Sequence, residues 1–221
     1  IETELIHIEK IDYIELIQII KHRNIDENID GIMLQLPLPN YLKQYSQIIL
    51  DTISYSKDID GLTSNSIGKL AMNYNPKFKC CTPYGIIKLL DYYNIEIKGQ
   101  NITIIGYSNI VGKPLSLMLS NNGGTVSVCT IETKNIKEFT LTADILITCC
   151  GCPKLITHDY IKNDVVIIDV GINISYKDNK KIIVGDVDFD SVKSKVKAIT
   201  PVPGGVGPMT IYYLISQVLN N

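Results

Sequence analysis

The stretch Asn101-Ile-Thr-Ile-Ile-Gly106-Tyr-Ser-Asn-Ile-Val-Gly112 decides the fold expected of this chain. Its first five residues form an apolar run of strand length, and helical spacing of apolar residues follows over 112–121. A strand that ends in glycine and leads into a helix is typical of dinucleotide-binding sheets. Glycine lets the backbone approach a pyrophosphate, and the N–H groups at a helix start attract anions. A tight turn that needs glycine only for packing remains an equal alternative, because the spacing is Gly-x5-Gly.

Outward from this stretch, apolar strands and helix-length segments alternate. Further strands are predicted at 125–130, 144–149 and 165–170, and helices at 11–22, 41–54, 82–93 and 209–219. Such alternation predicts a parallel sheet covered on both faces. We therefore expect an α/β protein with two lobes. One is a Rossmann-like, doubly wound lobe (82–201), and the other is an N-terminal α/β lobe (1–81) completed by the C-terminal helix (202–221).

Local signals refine this division. Asp12 lies near the predicted start of the first helix, and 30–36 reads as a short buried strand that runs into prolines. Thr82-Pro83 is a favourable helix start, since threonine caps and proline suits the first turn.

Composition narrows the class of protein. A net charge of −2 and a pI near 5.9 give no electrostatic footprint for nucleic acid, and no apolar run approaches the roughly 18 residues of a membrane span. The six cysteines lack the Cys-x-x-Cys spacing of zinc sites, so we expect no metal. Because Cys149, Cys150 and Cys152 end a strand-like run, buried, reduced thiols are the simplest interpretation, and these fit a reducing compartment, either the cytoplasm or an organelle.

Three other segments suggest chemistry. Lys57-Asp-Ile-Asp-Gly61 carries two carboxylates that an extended backbone would place on one side, although a solvated acidic turn is the commoner reason for such a pair. In Gln35-Leu-Pro-Leu-Pro39 the glutamine amide can both donate and accept hydrogen bonds, which suits a residue that orients a polar ring or a lysine. The alternative is that this segment only ends a strand in a proline turn. Thr200-Pro-Val-Pro-Gly-Gly-Val-Gly-Pro-Met-Thr210 forms a rigid loop that exposes backbone donors and acceptors, which is unusual for a plain linker.

With Cys81-Thr-Pro-x-Gly and Asp169-Val-Gly-Ile-Asn, these segments resemble, in order, the bifunctional methylenetetrahydrofolate dehydrogenase/methenyltetrahydrofolate cyclohydrolase family. The resemblance implies oxidation of 5,10-methylenetetrahydrofolate to methenyltetrahydrofolate with NADP, and its hydrolysis to 10-formyltetrahydrofolate in one-carbon metabolism. It also implies a folate substrate, a homodimer and an active site in the cleft between the lobes. The alternative is a truncated or non-catalytic paralogue that binds folate or dinucleotide.

The resemblance also assigns residues. Asp60 would hold the pterin ring, and Gln35 would partner the family's catalytic lysine. Asp60 and Gln35 are therefore the implied catalytic residues of this sequence. The implied folate-binding residues are Leu34, Gln35, Leu36, Asp60, Pro203, Gly204, Gly205, Val206 and Gly207. The implied cofactor-binding residues are Gly106, Tyr107, Ser108, Ile131 and Ile172.

Some positions depart from the family pattern. Tyr107 stands where an arginine is frequent, Thr130 where a histidine is usual, and Ile131 where a polar contact for the 2′-phosphate is expected. Phosphate recognition favours arginine and polar donors. We therefore expect a weaker preference for NADP than in members with those residues, with NAD as the alternative cofactor. Glu132 could accept a ribose hydroxyl instead.

A further departure concerns the cyclohydrolase step. The family's Tyr-x-x-x-Lys helix supplies the lysine for this step, and the 221 residues contain no such motif before the predicted strand at 30–36; Tyr13-x-x-x-Ile17 does not replace it. Loss of a positioned proton-transfer group typically costs about 10²–10⁴-fold in rate. Residues 1–221 alone are therefore expected to hydrolyse methenyltetrahydrofolate negligibly above background. Rates equal to those of a version extended upstream of Ile1 would show that another residue does this work.

Overall fold

The structure, a computed structural model, describes residues 1–177 and 180–219 and divides into two units. The first unit contains Ile1–Cys80 and the chain from Leu214, and the second contains Cys81–Tyr213. The division falls one residue before the boundary expected from the sequence. Residues 202–213, which the sequence assigned to the N-terminal lobe, lie in the second unit.

Three α-helices and two single-turn 3-10 helices make up most of the regular structure of the first unit. The α-helices are α1 (Tyr13–Ile25), α2 (Ser46–Leu50) and α3 (Ser64–Ala71), and the 3-10 helices are Lys43–Tyr45 and Tyr55–Lys57. The Asp12 carboxylate accepts a hydrogen bond from Ile14 N at 2.8 Å, which confirms the predicted start of α1. The buried apolar side chains are Ile20, Leu42, Ile49, Leu50, Ile53, Leu62, Leu70 and Phe78.

Two predictions for this unit were wrong. Residues 30–36 form no buried strand: within the described residues Ile32 makes a single parallel bridge, to Asp58, and Gln35 is exposed. A strand needs continuous hydrogen-bonded neighbours, and one bridge does not supply them. The helix expected over 41–54 is shorter, because i→i+3 bonds such as Tyr45 N to Leu42 O (2.9 Å) wind its first part as 3-10 helix.

The second unit is built on a parallel five-stranded sheet, which confirms the predicted fold class. Its strands are β1 (Asn101–Ile105), β2 (Thr125–Cys129), β3 (Ile145–Thr148), β4 (Val166–Asp169) and β7 (Ala198–Ile199), in the spatial order β2-β1-β3-β4-β7. An antiparallel hairpin of β5 (Asn173–Lys177) and β6 (Lys180–Val184), which the sequence reading did not anticipate, stands apart from that sheet.

Helices cover both faces of the sheet. They are α4 (Cys81–Tyr92), α5 (Gly112–Asn121), α6 (Lys137–Thr140), α7 (Phe189–Val192) and α8 (Val206–Leu219). Ile102 and Ile104 of β1 pack with α4 and α5 on one face, whereas Leu146 and Ile167 belong to a second cluster. Among the described residues, no helix is long and apolar enough to cross a membrane.

The start of α8 packs on α4. The hydroxyls of Thr82 and Thr210 lie 2.9 Å apart, and a Cβ added at Gly85 would lie 3.1 Å from Cβ of Met209. These contacts explain why residues 202–213 belong to the second unit. They also correct the predicted cap, because α4 begins at Cys81 and the Thr82 hydroxyl is paired with Thr210.

The loop that precedes α3 is organised by Asp58, whose side chain is 1% exposed. Its carboxylate accepts hydrogen bonds from Leu62 N (3.2 Å), Thr63 N (3.0 Å) and the hydroxyls of Thr63 (2.8 Å) and Ser66 (2.6 Å). A buried carboxylate is tolerated when its oxygens are satisfied in this way. Asp58 therefore fixes the loop and the start of α3 together.

We expect Asp58→Asn to lower the free energy of unfolding by roughly 3 kcal/mol. The amide NH₂ would replace one carboxylate oxygen, and it cannot accept the hydrogen bonds that the surrounding N–H and O–H groups donate. Asp51→Asn is the matched control: Asp51 is exposed and accepts from Ser64 N at 2.7 Å. Because Asp51 is exposed, water can replace a lost partner, so this control should cost less than about 1 kcal/mol. Urea unfolding followed by circular dichroism measures both, and equal losses would contradict the assignment.

Candidate functional site

Gly106 and Gly112 shape the turn between β1 and α5. Gly106 has a φ of +114°, and a Cβ added there would lie 2.5 Å from the Cys149 carbonyl oxygen. A Cβ on Gly112 would lie 2.2 Å from the carbonyl oxygen of Gly106. The prediction that Gly106 follows the first strand of the parallel sheet and Gly112 opens the next helix is confirmed. Packing alone already requires glycine at both positions.

The same turn presents groups that suit an anion. Within the described residues, the N–H groups of Tyr107, Ser108 and Asn109 donate to no protein acceptor, while Ser108 Oγ accepts from Val111 N at 3.2 Å. Lys113 Nζ donates to Asn109 Oδ1 at 2.6 Å and lies 5.2 Å from the centre of the Tyr107 ring. Free amide donors, a cation and a helix start fit the pyrophosphate of a dinucleotide.

Sequence reasoning missed Lys113. A lysine directly after the glycine that opens the helix was the available signal, since the first helical turn lies beside the preceding loop.

The structure brings the five predicted cofactor residues to one edge of the sheet. Gly106, Tyr107 and Ser108 follow β1, Ile131 follows β2 and Ile172 follows β4, and the carboxyl ends of parallel strands share an edge. Three of these side chains are apolar and exposed: Tyr107 by 48%, Ile131 by 97% and Ile172 by 72%. Exposed apolar groups beside a polar turn are the lining expected for flat aromatic rings.

Two buried carboxylates hold the loops at this edge. Asp169, at the end of β4, accepts from Gly171 N (3.0 Å), Asp186 N (3.0 Å), Val187 N (2.9 Å) and Thr148 Oγ1 (3.1 Å). Burial raises the pKa of Asp169, and these donors act in the opposite direction. Asp186 in turn accepts from Cys150 N (2.8 Å), Gly151 N (3.1 Å) and Asn173 Nδ2 (2.8 Å). The loops after β3 and β4 are therefore fixed to one another.

The loop 200–207 is tied to the same network. Thr200 Oγ1 accepts from Asp169 N at 2.8 Å, and a Cβ on Gly205 would lie 2.5 Å from the Pro201 carbonyl oxygen. Pro203, Gly204 and Gly207 are exposed, and the Val206 side chain is buried in the core of the sheet. Of the five predicted folate contacts here, Val206 can therefore offer a ligand little beyond its backbone.

The remaining predicted folate residues lie in the first unit. The parallel bridge Ile32–Asp58 sets the segment containing Leu34, Gln35 and Leu36 beside the one containing Asp60. A Cβ on Gly31 would lie 2.1 Å from Ile59 Cγ2, which shows how closely these two segments approach. Gln35 Nε2 donates to the carbonyl of Leu36 at 3.1 Å, and Leu34 and Leu36 are half-buried.

The two aspartates of the segment 57–61 differ, which corrects the expectation that they share one side. The chain makes a turn here, closed by Gly61 N to Asp58 O at 3.0 Å with a φ of +65° at Gly61, so the extended spacing does not apply. Asp58 points into the loop network, and Asp60 is half-buried. Burial, then the charges of Asp60 and Asp58, raises the pKa of Cys80, which places both carboxylates near that thiol.

Lys57 has a structural role. Its Nζ donates to the carbonyls of Arg23 (3.1 Å) and Asp26 (2.6 Å) at the C-terminal end of α1, where a cation is favourable.

All six cysteines are free, and Cys80, Cys81 and Cys129 are buried, but the expectation that the three thiols after β3 are buried is wrong. Cys149 and Cys150 are half-buried, and Cys152 is exposed. The reason is that the apolar run of β3 ends at Thr148 and the chain leaves the sheet at its carboxyl edge.

Two domain models of one family match the chain. Residues 1–60 match the catalytic domain of tetrahydrofolate dehydrogenase/cyclohydrolase, and residues 80–221 match its NAD(P)-binding domain. The chain belongs to the tetrahydrofolate dehydrogenase/cyclohydrolase family. The bifunctional protein FolD of Sulfurihydrogenibium sp. is 50% identical over 212 residues, which cover 96% of this chain and 72% of that relative.

Solved structures of the family agree. The bifunctional FolD enzyme of Campylobacter jejuni superposes with a TM-score of 0.90 at 45% identity, covering 96% of this chain and 73% of that one. The Trypanosoma brucei enzyme, complexed with NADP cofactor and an inhibitor, gives 0.88 at 32% identity, covering 95% of this chain and 72% of that one.

The loop after β2 allows a test of cofactor choice within this family fold. Ile131 is almost fully exposed and brings no charge to bind a 2′-phosphate. We expect Ile131→Arg to raise the ratio of kcat/KM for NADP over NAD by about tenfold, through charge-assisted hydrogen bonds to the phosphate. Ile131→Leu is the uncharged control. An unchanged ratio in the arginine variant, or a preference for NADP of about a hundredfold (about 2.7 kcal/mol) in the unaltered chain, would show that other groups hold the phosphate.

Proposed function

We propose that this protein oxidises 5,10-methylenetetrahydrofolate with NADP and that, when a lysine like that of the family's Tyr-x-x-x-Lys helix is present, it hydrolyses the resulting methenyltetrahydrofolate to 10-formyltetrahydrofolate. The observation that carries this proposal is that one chain matches, in order, both the catalytic and the NAD(P)-binding domain of one family. The 50% identity of the bifunctional FolD relative over 212 residues supports it.

The cofactor half of the site is assigned to the second unit. When bound, the nicotinamide accepts the hydride removed from the substrate. The protein's part is to bind and orient: the N–H groups of residues 107–109 and the Lys113 ammonium face the pyrophosphate. Ile131 would lie beside the adenosine ribose, and Ile172 would pack near the nicotinamide. The exposure of both isoleucines supports this assignment, since exposed apolar side chains that take no part in packing are available to a ligand.

The folate half is assigned to Asp60, Gln35 and the two leucines beside it. A carboxylate can accept two parallel N–H bonds, which matches the adjacent amino and ring N–H groups of a pterin. Asp58 is buried and fixes the loop through four internal hydrogen bonds, whereas Asp60 is half-buried, so Asp60 is the better candidate of the two. Gln35 donates and accepts through one amide, which suits a residue that positions a proton-transferring lysine. The exposed loop residues Pro203, Gly204 and Gly207, together with Gly205, complete the proposed folate contacts.

We further propose that the protein works in the cytoplasm as a homodimer, as the family resemblance implies. Six free thiols support a reducing compartment.

The Asp60 assignment is tested by substitution. Asp60→Ala should weaken binding of methylenetetrahydrofolate by about 10- to 150-fold, the equivalent of the roughly 1.5–3 kcal/mol of a hydrogen bond to a charged group. Calorimetry measures the affinity, and reduction of NADP measures the dehydrogenase. Asp51→Asn, an exposed acid of the same unit, is the control and should match the wild type.

Unchanged folate affinity in Asp60→Ala would show that Asp60 does not hold the pterin. A wild-type protein that binds both ligands but reduces no NADP would favour a non-catalytic binding protein instead.

A further inference from the structure

Three thiols stand within four residues at the carboxyl end of β3, in the segment Cys149-Cys150-Gly151-Cys152. The sequence suggested buried thiols here, but Cys152 is exposed and Cys150 is half-buried. We propose that Cys150 and Cys152 form a reversible disulfide, made by exchange with a small-molecule disulfide, which closes the cofactor edge to NADP. The effect on NADP rests on the proposed function; the disulfide itself does not.

The backbone between the two cysteines allows the bond. Gly151 has a φ of +70°, and a Cβ added there would meet no atom within 4 Å, so the bend at this position has room to adjust. Residues two apart at a bend can bring their Cα atoms within the about 4.4–6.8 Å that a disulfide spans.

The environment sets the order of the chemistry. Burial raises the pKa of Cys150 to about 12, and the charge of Asp186 acts in the same direction, so this thiol stays protonated. Cys152 is exposed and attacks first. Its thiolate attacks a small disulfide such as oxidised glutathione, forms a mixed disulfide and releases one thiolate, which solvent protonates.

Cys150 then attacks the Cys152 sulfur, loses its proton and expels the second small thiol. Two protein thiols are oxidised to one disulfide, and one small disulfide is reduced to two thiols. Adjacency along the chain favours this step despite the raised pKa of Cys150, because the reaction is intramolecular.

The bond would disturb the loops that shape the cofactor edge. Cys150 Sγ lies 3.4 Å from Asp186 Oδ2, the same oxygen that accepts from Cys150 N (2.8 Å) and Gly151 N (3.1 Å). Turning the sulfur toward Cys152 removes one donor and strains the other two. Cys149, the preceding residue, contacts Gly106 so closely that a Cβ on that glycine would lie 2.5 Å from the Cys149 oxygen. A shift in 149–152 is therefore transmitted to the turn that faces the pyrophosphate.

The remaining cysteines are poor competitors for the oxidant. Cys80, Cys81 and Cys129 are buried, and burial raises the pKa values of Cys80 and Cys129. A thiol must be accessible to react with a dissolved disulfide, so oxidation should begin at the exposed Cys152.

The test uses the full chain, reduced or treated with oxidised glutathione. Differential alkylation with fragment-ion mass spectrometry should locate a bond between Cys150 and Cys152 and no retained glutathione. Calorimetry should show NADP affinity lowered by about tenfold or more, and dithiothreitol should restore it.

Cys152→Ser should bind NADP as the reduced wild type does, and its NADP affinity should not change on treatment with oxidised glutathione. Cys150→Ser, which keeps a donor for Asp186, should retain glutathione on Cys152 because the second thiol is absent.

Cys149→Ser separates the alternative pairings, since the Cys150–Cys152 bond should still form in it. A treated wild type without this bond would overturn the proposal, and so would a cross-linked protein that binds NADP unchanged. Reduced protein that binds no NADP would overturn the proposed function and, with it, the proposed effect of the disulfide on cofactor binding. The disulfide itself is tested independently, by mass spectrometry.

Discussion

The carboxyl edge of the sheet depends on a pair of buried aspartates that hold each other's loops. Asp169 ends β4 and accepts the N–H of Asp186, and Asp186 accepts two N–H groups from the loop after β3. Charges out of water cost several kcal/mol unless hydrogen bonds replace the lost hydration. N–H groups of the Asp186 loop solvate the Asp169 carboxylate, and N–H groups of the loop after β3 solvate the Asp186 carboxylate. Movement of either of these loops therefore exposes a buried charge. The cofactor turn and the loop 200–207 contact this network, and their shapes follow from it.

Glycine makes this arrangement possible. A Cβ on Gly171 would lie 2.3 Å from an Asp186 oxygen, and one on Gly185 would lie 1.9 Å from an Asp169 oxygen. In the Asp-Val-Gly-Ile-Asn segment, the glycine thus lets the backbone approach the Asp186 carboxylate closely. Its aspartate and glycine serve packing, while Ile172 alone of its apolar residues is largely exposed at the edge.

The sequence allowed the sheet to be predicted because β1, β3 and β4 are apolar runs buried on both faces, a local signal. The family resemblance assigned Tyr107, Ile131 and Ile172 to one cofactor, and they share an edge because the carboxyl ends of parallel strands meet there. The structure of the first unit could not be predicted in the same way. The role of Lys57, for example, depends on hydrogen bonds to the carbonyls of residues 31 and 34 positions earlier in the chain, and no local sequence pattern reveals such contacts.

The strand expected near Gln35 failed for a related reason, because its neighbours, and not its own residues, decide whether an apolar run forms a ladder. The thiols after β3 were misjudged because a strand's last buried residue cannot be located from hydrophobicity alone.

A family motif mixes residues that build the fold with residues that face ligands, and hydrogen-bond saturation distinguishes them. A carboxylate has about four lone-pair sites. Asp58 and Asp169 each accept four bonds from their own chain, and both are buried, so their carboxylates serve the fold and are closed off from a ligand. Loss of activity on changing either one is loss of structure, and it will be accompanied by loss of stability. Asp60 is half-buried and Lys113 lies in the first turn of α5, and each stands beside chain segments that other residues hold. At those positions, activity can change while the free energy of unfolding stays constant. Measuring the two quantities together therefore separates scaffold from site within a single motif.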